Sequence, residues 1–169
     1  MKYNPIKMTN VDLVPDSYSL FNEGHGIVYQ MNFANGKKVS LTGGPLGKST
    51  YILHSFHLHW PSEHLLNGVR YSAELHLVHY KSNYMNLTAA KTYSDGLAVL
   101  GFLYAIGADN VQSPIFDHLH EVLNVDSSYT LTNNKQSVHN FIQKKPFTIF
   151  NYNGSLTTPT CNEAVTWMV

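Results

Sequence analysis

Short β-rich segments separated by turn signals run through almost the whole chain. Eight segments are rich in β-branched and aromatic residues: Tyr18–Asn22, Gly26–Phe33, Lys38–Thr42, Tyr51–Trp60, Tyr71–His79, Leu97–Ile106, Phe147–Asn151 and Val165–Val169. The turns between them include Asn35-Gly36, Gly43-Gly44-Pro45 and Asp95-Gly96, where a positive φ or the fixed φ of proline is favoured. This pattern predicts a fold made mainly of strands.

Helices form a minority of the predicted secondary structure. Ile115–Asn124 places apolar residues at helical spacing after a Ser113-Pro114 start, and Thr88–Tyr93 is predicted to form a short helical turn. The 169 residues contain no internal repeat, low-complexity tract or long linker. Because a chain of this length builds one ordinary globular core, we expect residues 1–169 to form a single strand-rich domain with a few peripheral helices.

The charge balance excludes several classes of partner. Lysine plus arginine and aspartate plus glutamate both number 11, so we expect no basic surface for nucleic acid or for an anionic membrane. No apolar run approaches the roughly 20 residues of a membrane span, and the first ten residues lack the apolar core of a secretory signal. A small-molecule partner is therefore expected, while the oligomeric state stays open.

Histidines in two of the predicted strands carry the strongest chemical signal. The chain holds 10 histidines, the side chain most often used for metals and for proton transfer near neutral pH. In one strand His57 and His59 lie two residues apart, so both rings point to the same face. In another strand His76 shares a face with Glu74. If these strands are neighbours, three imidazoles surround one Zn²⁺ and leave a fourth position to water, which is typical of a catalytic zinc site.

Other interpretations of the same residues are weaker. An isolated His-x-His pair in an aromatic strand is more often a buried or edge pair than a metal site. The second strand, which carries Glu74 and His76, makes the metal site the favoured interpretation. The chain has no His-Glu-x-x-His motif, and its one cysteine, Cys161, cannot build a thiolate zinc finger. A cupin-type metal protein is the nearest alternative, because His57, His59 and Glu63 imitate the first cupin metal motif, although the second motif is not found.

Several separate motifs, in one order, resemble those of the α-class carbonic anhydrases. The central motif runs from Ser62-Glu63-His64 through Tyr71 to Ser72-Ala73-Glu74-Leu75-His76-Leu77-Val78-His79. The others are Asn22-Glu23-Gly24-His25, Gly43-Gly44-Pro45-Leu46, Asp95-Gly96-Leu97-Ala98-Val99-Leu100-Gly101, Gly154-Ser155-Leu156-Thr157-Thr158-Pro159 and Val165-Thr166-Trp167. The resemblance covers nearly the whole chain. It implies a mainly β domain built on a large, mostly antiparallel, twisted central sheet with a few short peripheral helices.

This resemblance implies a zinc enzyme that hydrates CO₂ reversibly to bicarbonate and a proton. His57, His59 and His76 match the family's zinc ligands. Zinc lowers the pKa of its bound water to about 7 in carbonic anhydrase itself, the best-known case, so that a zinc-bound hydroxide exists at neutral pH and attacks CO₂.

The same resemblance implies roles for residues that act on water, protons and CO₂. Thr157 matches the threonine that accepts a hydrogen bond from the hydroxide and passes its own hydroxyl proton toward Glu63. His25 matches the proton shuttle, for which an imidazole near its ordinary pKa of about 6.5 is suited. The apolar wall of the substrate pocket is matched by Val78, Val99, Leu156, Val165 and Trp167, with Thr158 beside them.

Residues that support the ligands follow from the same match. Glu74 corresponds to the carboxylate that orients His76, a contact of the kind that sets the tautomer of a ligand. Ser55 stands where the family usually has a glutamine supporting the first ligand, so we expect the support of His57 to be altered or water-mediated. His64 and His79 are expected to be structural, buried near the site and hydrogen-bonded.

The resemblance also implies that the chain lacks the family's N-terminal segment and last C-terminal strands, which predicts an exposed sheet edge. Cys161 matches one half of a disulfide whose other half lies in that N-terminal segment. Together with the sequons at Asn86 and Asn153, this predicts that the parent protein is secreted or extracellular. The chain shows no signal peptide, which leaves a cytoplasmic location open.

A rival function is a carbonic anhydrase-like binding or recognition domain that has lost turnover. Relatives without activity usually lose one or more zinc histidines, whereas His57, His59, His76, Glu63 and Thr157 are all present here. Those residues favour the enzyme. The missing end segments favour the rival, because a complete ligand set in an incomplete fold can bind its metal poorly.

Overall fold

A computed structural model describes residues 4–107, 117–132, 136–142 and 148–169 of the chain. Its strands are β1 (Lys7–Thr9), β2 (Ser17–Asn22), β3 (Ile27–Asn32), β4 (Ser40–Thr42), β5 (Tyr51–His59), β6 (Leu65–Leu66), β7 (Val69–Arg70), β8 (Ala73–Lys81), β9 (Leu97–Tyr104), β10 (Ser128–Leu131), β11 (Asn151–Gly154) and β12 (Val165–Met168). The α-helices are single turns, α1 (Leu87–Ala90) and α2 (Val138–Phe141). Short 3₁₀ helices span Ala34–Gly36, Gly44–Leu46 and Leu119–Val122.

Ten of the described strands form one sheet. Along the sheet the order is β10-β2-β3-β5-β8-β9-β12-β11, with β4 paired to β5 and β1 paired to β4, while β6 and β7 form a separate hairpin. The pair β9–β12 is parallel, and the other pairs in the described residues are antiparallel. The expected mainly β architecture, a large and mostly antiparallel sheet with few short helices, is confirmed.

One face of the two central strands is largely apolar. On β5, Phe56 and Leu58 lie directly opposite Leu77 and Leu75 of β8, and all four side chains have no exposed surface. The ring of Phe141, from α2, packs on Phe56 with centroids 5.5 Å apart. Because side chains alternate between the faces of a strand, burying this set directs the residues between them to the opposite face.

A β-bulge interrupts that alternation near the middle of β5. Leu53 is paired with His79 of β8, but Ser55 is paired with Val78, so that His54 is an extra residue in β5. Odd-numbered residues of β5 therefore face the apolar core before the bulge and the opposite side of the sheet after it. Leu53 packs against the apolar core, whereas Ser55, two residues later, lies on the same face as Val78.

Several elements differ from their predicted bounds. The strands β1, β6, β7 and β10 were not predicted, because each is short and lacks strong alternation. Of the helix predicted over Ile115–Asn124, residues 115 and 116 lie outside the described part, and the remainder forms only the 3₁₀ helix at Leu119–Val122.

The strand predicted over Phe147–Asn151 is shifted along the chain. Phe147 is outside the described residues, and β11 begins at Asn151 and continues to Gly154. Phe150 exchanges two backbone hydrogen bonds with Val169, both 2.8 Å long. The hydrogen bonding between the two strands therefore begins at Phe150, one residue before β11. Pairing with β12 decides the position of this strand, and composition alone does not reveal that pairing.

Candidate metal centre

The register of β5 against β8 brings the predicted histidines together. His57 lies directly opposite His76, and His59 lies directly opposite Glu74. Directly opposed residues of an antiparallel pair project from the same face. The expectation that these two strands are neighbours is confirmed, and the face opposite the apolar core carries all four polar residues.

Two of the histidines and a glutamate form a compact group of donor atoms. His59, His76 and Glu63 each offer one atom, and these atoms all lie within 4.8 Å of one another. Glu63 Oε1 is 3.8 Å from His59 Nδ1, and Glu63 Oε2 is 3.8 Å from His76 Nδ1. Both histidines are buried. The carboxylate therefore sits between two imidazole nitrogens at distances too long for hydrogen bonds.

His57 is close to this group but makes a different contact. Its ring centroid is 6.4 Å from that of His59, and its Nε2 is 3.1 Å from Ser55 Oγ. Among the described residues, the groups of donor atoms within 4.8 Å of one another do not include His57. The structure thus places all three predicted ligands on one face, with the ring centroids of His59 and His76 4.7 Å apart and those of His57 and His59 6.4 Å apart.

The electrostatic environment favours the neutral form of two of these imidazoles, those of His57 and His59. Burial, followed by the proximity of His76 and His59, lowers the pKa of His57 to about 3. Burial and the neighbouring His76 also lower the pKa of His59. Neutral imidazole is the form that binds a metal, because a protonated ring has no lone pair to give.

Glu74 is surrounded by hydrogen-bond donors. Its Oε1 accepts from His76 Nε2 at 2.8 Å and from His64 Nδ1 at 2.5 Å, and its Oε2 accepts from the backbone N–H of His64 at 2.8 Å. Burial acts to raise its pKa, but the hydrogen bonds from His64 and His76 outweigh burial and hold the pKa of this carboxyl well below its usual range. Because Nε2 of His76 is hydrogen-bonded to Glu74, the other ring nitrogen of His76, Nδ1, faces Glu63.

Tyr152 and Trp167 extend this network beyond what sequence reasoning identified. The Tyr152 hydroxyl is 2.5 Å from His64 Nε2, and Tyr152 is the cross-strand partner of Trp167, with nearly parallel rings. The Trp167 ring meets the ring of His76 edge-on, with centroids 4.8 Å apart. Sequence reasoning placed Trp167 at the pocket and missed Tyr152, because its contact with His64 joins residues far apart in the chain.

A cavity of about 530 Å³ opens beside the histidines. Its lining includes His57, His76 and Ser55. An apolar part of the lining is formed by Val78, Val99, Leu156 and Trp167, and a polar part by Glu23, His25, Gln30, His54 and Lys91. The cavity therefore offers apolar and polar surfaces next to the candidate ligands.

Other predicted site residues occupy different positions around this cavity. Thr157 and Thr158 line it, and Val165 does not: Val165 is buried in the adjacent cluster with Val78 and Val99. The hydrogen bonds among the described residues include none between Thr157 and Glu63.

His25 also lines the cavity. It is half exposed, and its Nε2 lies 3.6 Å from Glu23 Oε2. This position, with one side toward the cavity and the other toward solvent, is compatible with proton exchange.

One polar residue on the lining, His54, escaped sequence reasoning, whereas His79, expected to be structural, lies away from the cavity. His54 was not singled out, because simple alternation places it on the apolar face with Phe56, and the bulge overrides that alternation. His79, three residues after His76, is fully buried away from the cavity, where its Nδ1 donates to the Leu77 carbonyl at 2.9 Å.

The donor set fits a zinc ion. Imidazole nitrogens suit zinc, and the nitrogens of His59 and His76 that face Glu63 are turned toward a common point. Glu63 Oε2 is buried and has no hydrogen-bond partner among the described residues. A buried carboxylate oxygen left unpaired beside two imidazoles indicates a place where a cation can be accommodated.

Comparison with known proteins agrees with this geometry. The model of the eukaryotic-type carbonic anhydrase family matches residues 1–169. Carbonic anhydrase 1 of Oryctolagus cuniculus is 34% identical over 161 residues, which cover 89% of this chain and 65% of the relative. Carbonic anhydrase 6 of Canis lupus familiaris is 29% identical over 184 residues, covering 100% of this chain and 55% of the relative.

A large β-sheet bearing a histidine cluster that could hold a metal thus defines the class, and the chain belongs to the eukaryotic-type carbonic anhydrase family. That family is enzymatic and zinc-dependent, and it acts on small molecules. The chain spans between about half and two thirds of the length of these two relatives.

Proposed function

We propose that this chain catalyses the reversible hydration of CO₂ to bicarbonate and a proton, with zinc held by His57, His59 and His76. The observation that carries the proposal is the register of β5 and β8, which sets His57 opposite His76 on the face that also bears His59. His57 and His76 line a cavity with an apolar wall. Three imidazoles beside such a cavity are what a catalytic zinc site needs.

The apolar wall is suited to the substrate. When bound, zinc supplies a Lewis acid that lowers the pKa of water to about 7, as is well known for carbonic anhydrase. Val78, Val99, Leu156 and Trp167 give CO₂ a nonpolar surface beside the histidines and hold it without competing hydrogen bonds. Glu74 holds the proton of His76 on Nε2 and so keeps Nδ1 free to bind the metal.

Water and protons are handled by residues on the polar side of the cavity. The Thr157 hydroxyl orients the attacking water, and Glu63 accepts the proton of that hydroxyl. The hydrogen bond from Thr157 to Glu63 would require the Glu63 carboxylate to leave its position between His59 and His76, two of the residues that would hold the metal. His25 takes up the product proton and releases it to solvent, since it lines the cavity and is also half exposed.

Stopped-flow measurement of CO₂ hydration on zinc-loaded protein tests the proposal. We expect a rate that depends on zinc, and we expect His76→Ala to abolish it. His120→Ala is the matched control, because His120 is an exposed histidine outside the site, and it should keep the full rate. A wild-type rate equal to that of His76→Ala would contradict the enzyme proposal.

A second candidate is a recognition domain that binds zinc without turnover. The observation that favours it is the separate position of His57, whose Nε2 contacts Ser55 rather than the group formed by His59, His76 and Glu63. Zinc binding at the stoichiometry of one site, together with no CO₂ hydration above the His76→Ala variant, would support this candidate over the enzyme. A cupin-type metal protein is no longer a candidate, because the family is assigned.

Domain organisation and location complete the proposal. We infer that residues 1–169 form one domain, because ten of the described strands share one sheet. No helix in the described ranges is both long enough and apolar enough to cross a membrane. Cys161 is exposed and is the chain's one cysteine, and secretion of the parent protein stays a prediction.

A further inference from the structure

Glu63 differs from the other carboxylate of the candidate metal centre, because one of its oxygens is left unpaired. Its Oε2 is buried and accepts no hydrogen bond among the described residues. Glu74, by contrast, accepts three hydrogen bonds, from His64 and His76. A buried carboxylate oxygen without a donor is unfavourable unless a positive charge compensates it. The missing partner of Glu63 is therefore expected to be a cation.

The backbone on both sides of Glu63 is held in place. Ser62 is fully buried, its N–H donates to the Tyr71 carbonyl at 3.0 Å, and its hydroxyl donates to the His64 carbonyl at 2.8 Å. On the other side, the N–H of His64 donates to Glu74 at 2.8 Å. The Glu63 side chain consequently projects from a fixed turn after β5, with 31% of its surface exposed. Its position beside the histidines follows from these backbone contacts.

The distances from Glu63 to two imidazoles suit a shared metal ion. Oε1 lies 3.8 Å from His59 Nδ1, and Oε2 lies 3.8 Å from His76 Nδ1. Donor atoms about 2.0–2.2 Å from a tetrahedral zinc ion lie about 3.3–3.6 Å from one another. A shift of a few tenths of an ångström therefore brings these atoms to coordination distances. Two histidines and one glutamate are a donor set that holds catalytic zinc in other enzymes.

His57 is not part of this arrangement. Its ring centroid is 6.4 Å from that of His59, whereas the centroids of His59 and His76 are 4.7 Å apart. Among the described residues, the group of donor atoms around Glu63 contains His59 and His76 and does not contain His57. The three donors that the fold brings together here are thus two imidazoles and one carboxylate.

We propose that Glu63 is a metal ligand, which together with His59 and His76 holds the zinc ion in a resting form of the site. The inference rests on the proposed function in placing zinc on this face of the sheet. In the form that turns over, His57 takes the place of Glu63, and the released carboxylate is free to accept the Thr157 hydroxyl. This exchange breaks one metal–oxygen bond and forms one metal–nitrogen bond, and no electron is transferred. Glu63 thereby regulates the site, because it holds the metal in a form without turnover.

Zinc affinity, measured by competition with a chromophoric chelator, tests which side chain binds the metal. Glu63→Gln and His57→Gln are a matched pair, because both variants end in the same weakly coordinating amide. We expect Glu63→Gln to weaken zinc binding about 100-fold and His57→Gln less than about tenfold, the upper and lower ends of the losses known for residues that support a metal site. Glu163→Gln, at an exposed glutamate, is the control and should stay within about twofold of the wild type. An unchanged affinity in Glu63→Gln, or an equally large loss in His57→Gln, would overturn the proposal.

Two further measurements separate a ligand from a structural or indirect role. Since Oε2 of Glu63 has no hydrogen bond to lose, metal-free Glu63→Gln should resist urea at least as well as the wild type. Thr157→Val removes the hydroxyl that Glu63 contacts in the proposed function, and it should leave the zinc affinity unchanged. A loss of metal-free stability in Glu63→Gln, or a loss of affinity in Thr157→Val equal to that in Glu63→Gln, would contradict direct binding.

Cobalt(II) in place of zinc gives an independent readout, because its visible absorption depends on its ligands. The spectrum of the cobalt-loaded wild type should change in Glu63→Gln and stay the same in His57→Gln. The reverse pattern would contradict the inference. Failure of the proposed function has a different signature: the affinities and spectra follow the expected pattern, but the zinc-loaded wild type does not hydrate CO₂.

Discussion

His76 and His79 lie three residues apart on β8, and both are buried, yet their surroundings differ completely. His76 has its Nε2 bonded to the Glu74 carboxylate at 2.8 Å, and its Nδ1 lies 3.8 Å from Glu63. His79 donates from Nδ1 to the backbone carbonyl of Leu77, on the face that carries the apolar core. One strand thus holds a histidine turned toward a cavity and another turned into the core.

This difference teaches that burial by itself does not identify a functional histidine. Burial lowers the pKa of His79 to about 4, so this ring is a neutral member of the core. What distinguishes His76 is a carboxylate behind one nitrogen and a group of other donor atoms in front of the second. Changes at these sites should separate the two surroundings, with expected effects on the free energy of unfolding that decrease from Glu74 through His79 and zinc binding to Tyr152.

Removing Glu74 should have the largest effect. Glu74→Ala leaves three donors, from His64 and His76, without their acceptor, and we expect the free energy of unfolding to fall by about 3 to 5 kcal/mol. Urea denaturation measures the change. Glu163→Ala, at an exposed glutamate, is the control and should stay within about 0.5 kcal/mol of wild type. Equal stabilities of the two variants would show that Glu74 does not stabilise the fold through its hydrogen bonds to His64 and His76.

His79 should instead make stability depend on pH. Its pKa is about 4 in the folded protein and about 6.5 in the unfolded chain, so only the unfolded chain takes up the proton between these values. The His79 contribution is fully present above about pH 6.5 and is lost as the pH falls toward 4, by about 3 kcal/mol in total.

The matched variant for this pH effect is His79→Asn. Asparagine can keep the hydrogen bond to the Leu77 carbonyl but does not titrate, so the loss of stability between pH 6.5 and 4 should shrink by the same amount. Chemical denaturation of metal-free protein across that pH range measures both. Parallel pH profiles for wild type and His79→Asn would show that His79 is not a buried neutral core residue.

Zinc should separate the two histidines directly. At a free concentration 100 times its Kd, zinc should raise the free energy of unfolding of the wild type by about 2.7 kcal/mol. His76→Ala should lose nearly all of this increase, whereas His79→Asn should keep it. Thermal unfolding with and without zinc measures the difference. If zinc stabilised His79→Asn as little as it stabilises His76→Ala, the two histidines would not differ in metal binding.

Tyr152 should give the smallest effect. Tyr152→Phe removes the hydroxyl bonded to His64, which in turn donates to Glu74, and we expect a loss of about 1 kcal/mol. Tyr93→Phe is the control, since the described residues include no hydrogen bond from that hydroxyl, and it should change stability by less than half as much. A loss of stability no greater than that of Tyr93→Phe would show that the Tyr152 hydroxyl does not contribute to this hydrogen-bond network.

Sequence alone grouped the candidate metal ligands because the features that relate them are local. His57 and His59 share a face through the two-residue period of a strand, and the same rule groups Glu74 with His76. The pairing of β5 with β8, needed to join the two sets, was conditional on neighbouring strands and is confirmed. The roles of Thr157, Glu63 and His25 came from family resemblance, and they stay predictions.

Features that depend on register or on distant contacts could not be obtained in this way. His54 reaches the cavity only because β5 gains one residue relative to β8, and neither strand by itself contains that offset. Tyr152 contacts His64 across 88 residues of sequence. The strand β10 pairs with β2, more than 100 residues earlier, and its short sequence carries little alternation of its own.

The bulge at His54 also decides how β5 tolerates insertions and deletions. Before it, Leu53 faces the core, and after it, Ser55 and His57 face the cavity, although all three have odd positions in the chain. Deleting His54 would remove the extra residue and leave Leu53 and Ser55 as regular neighbours on opposite faces. Deleting one residue between Ser55 and His57 would instead turn the histidine pair into the core, because each later side chain would change face.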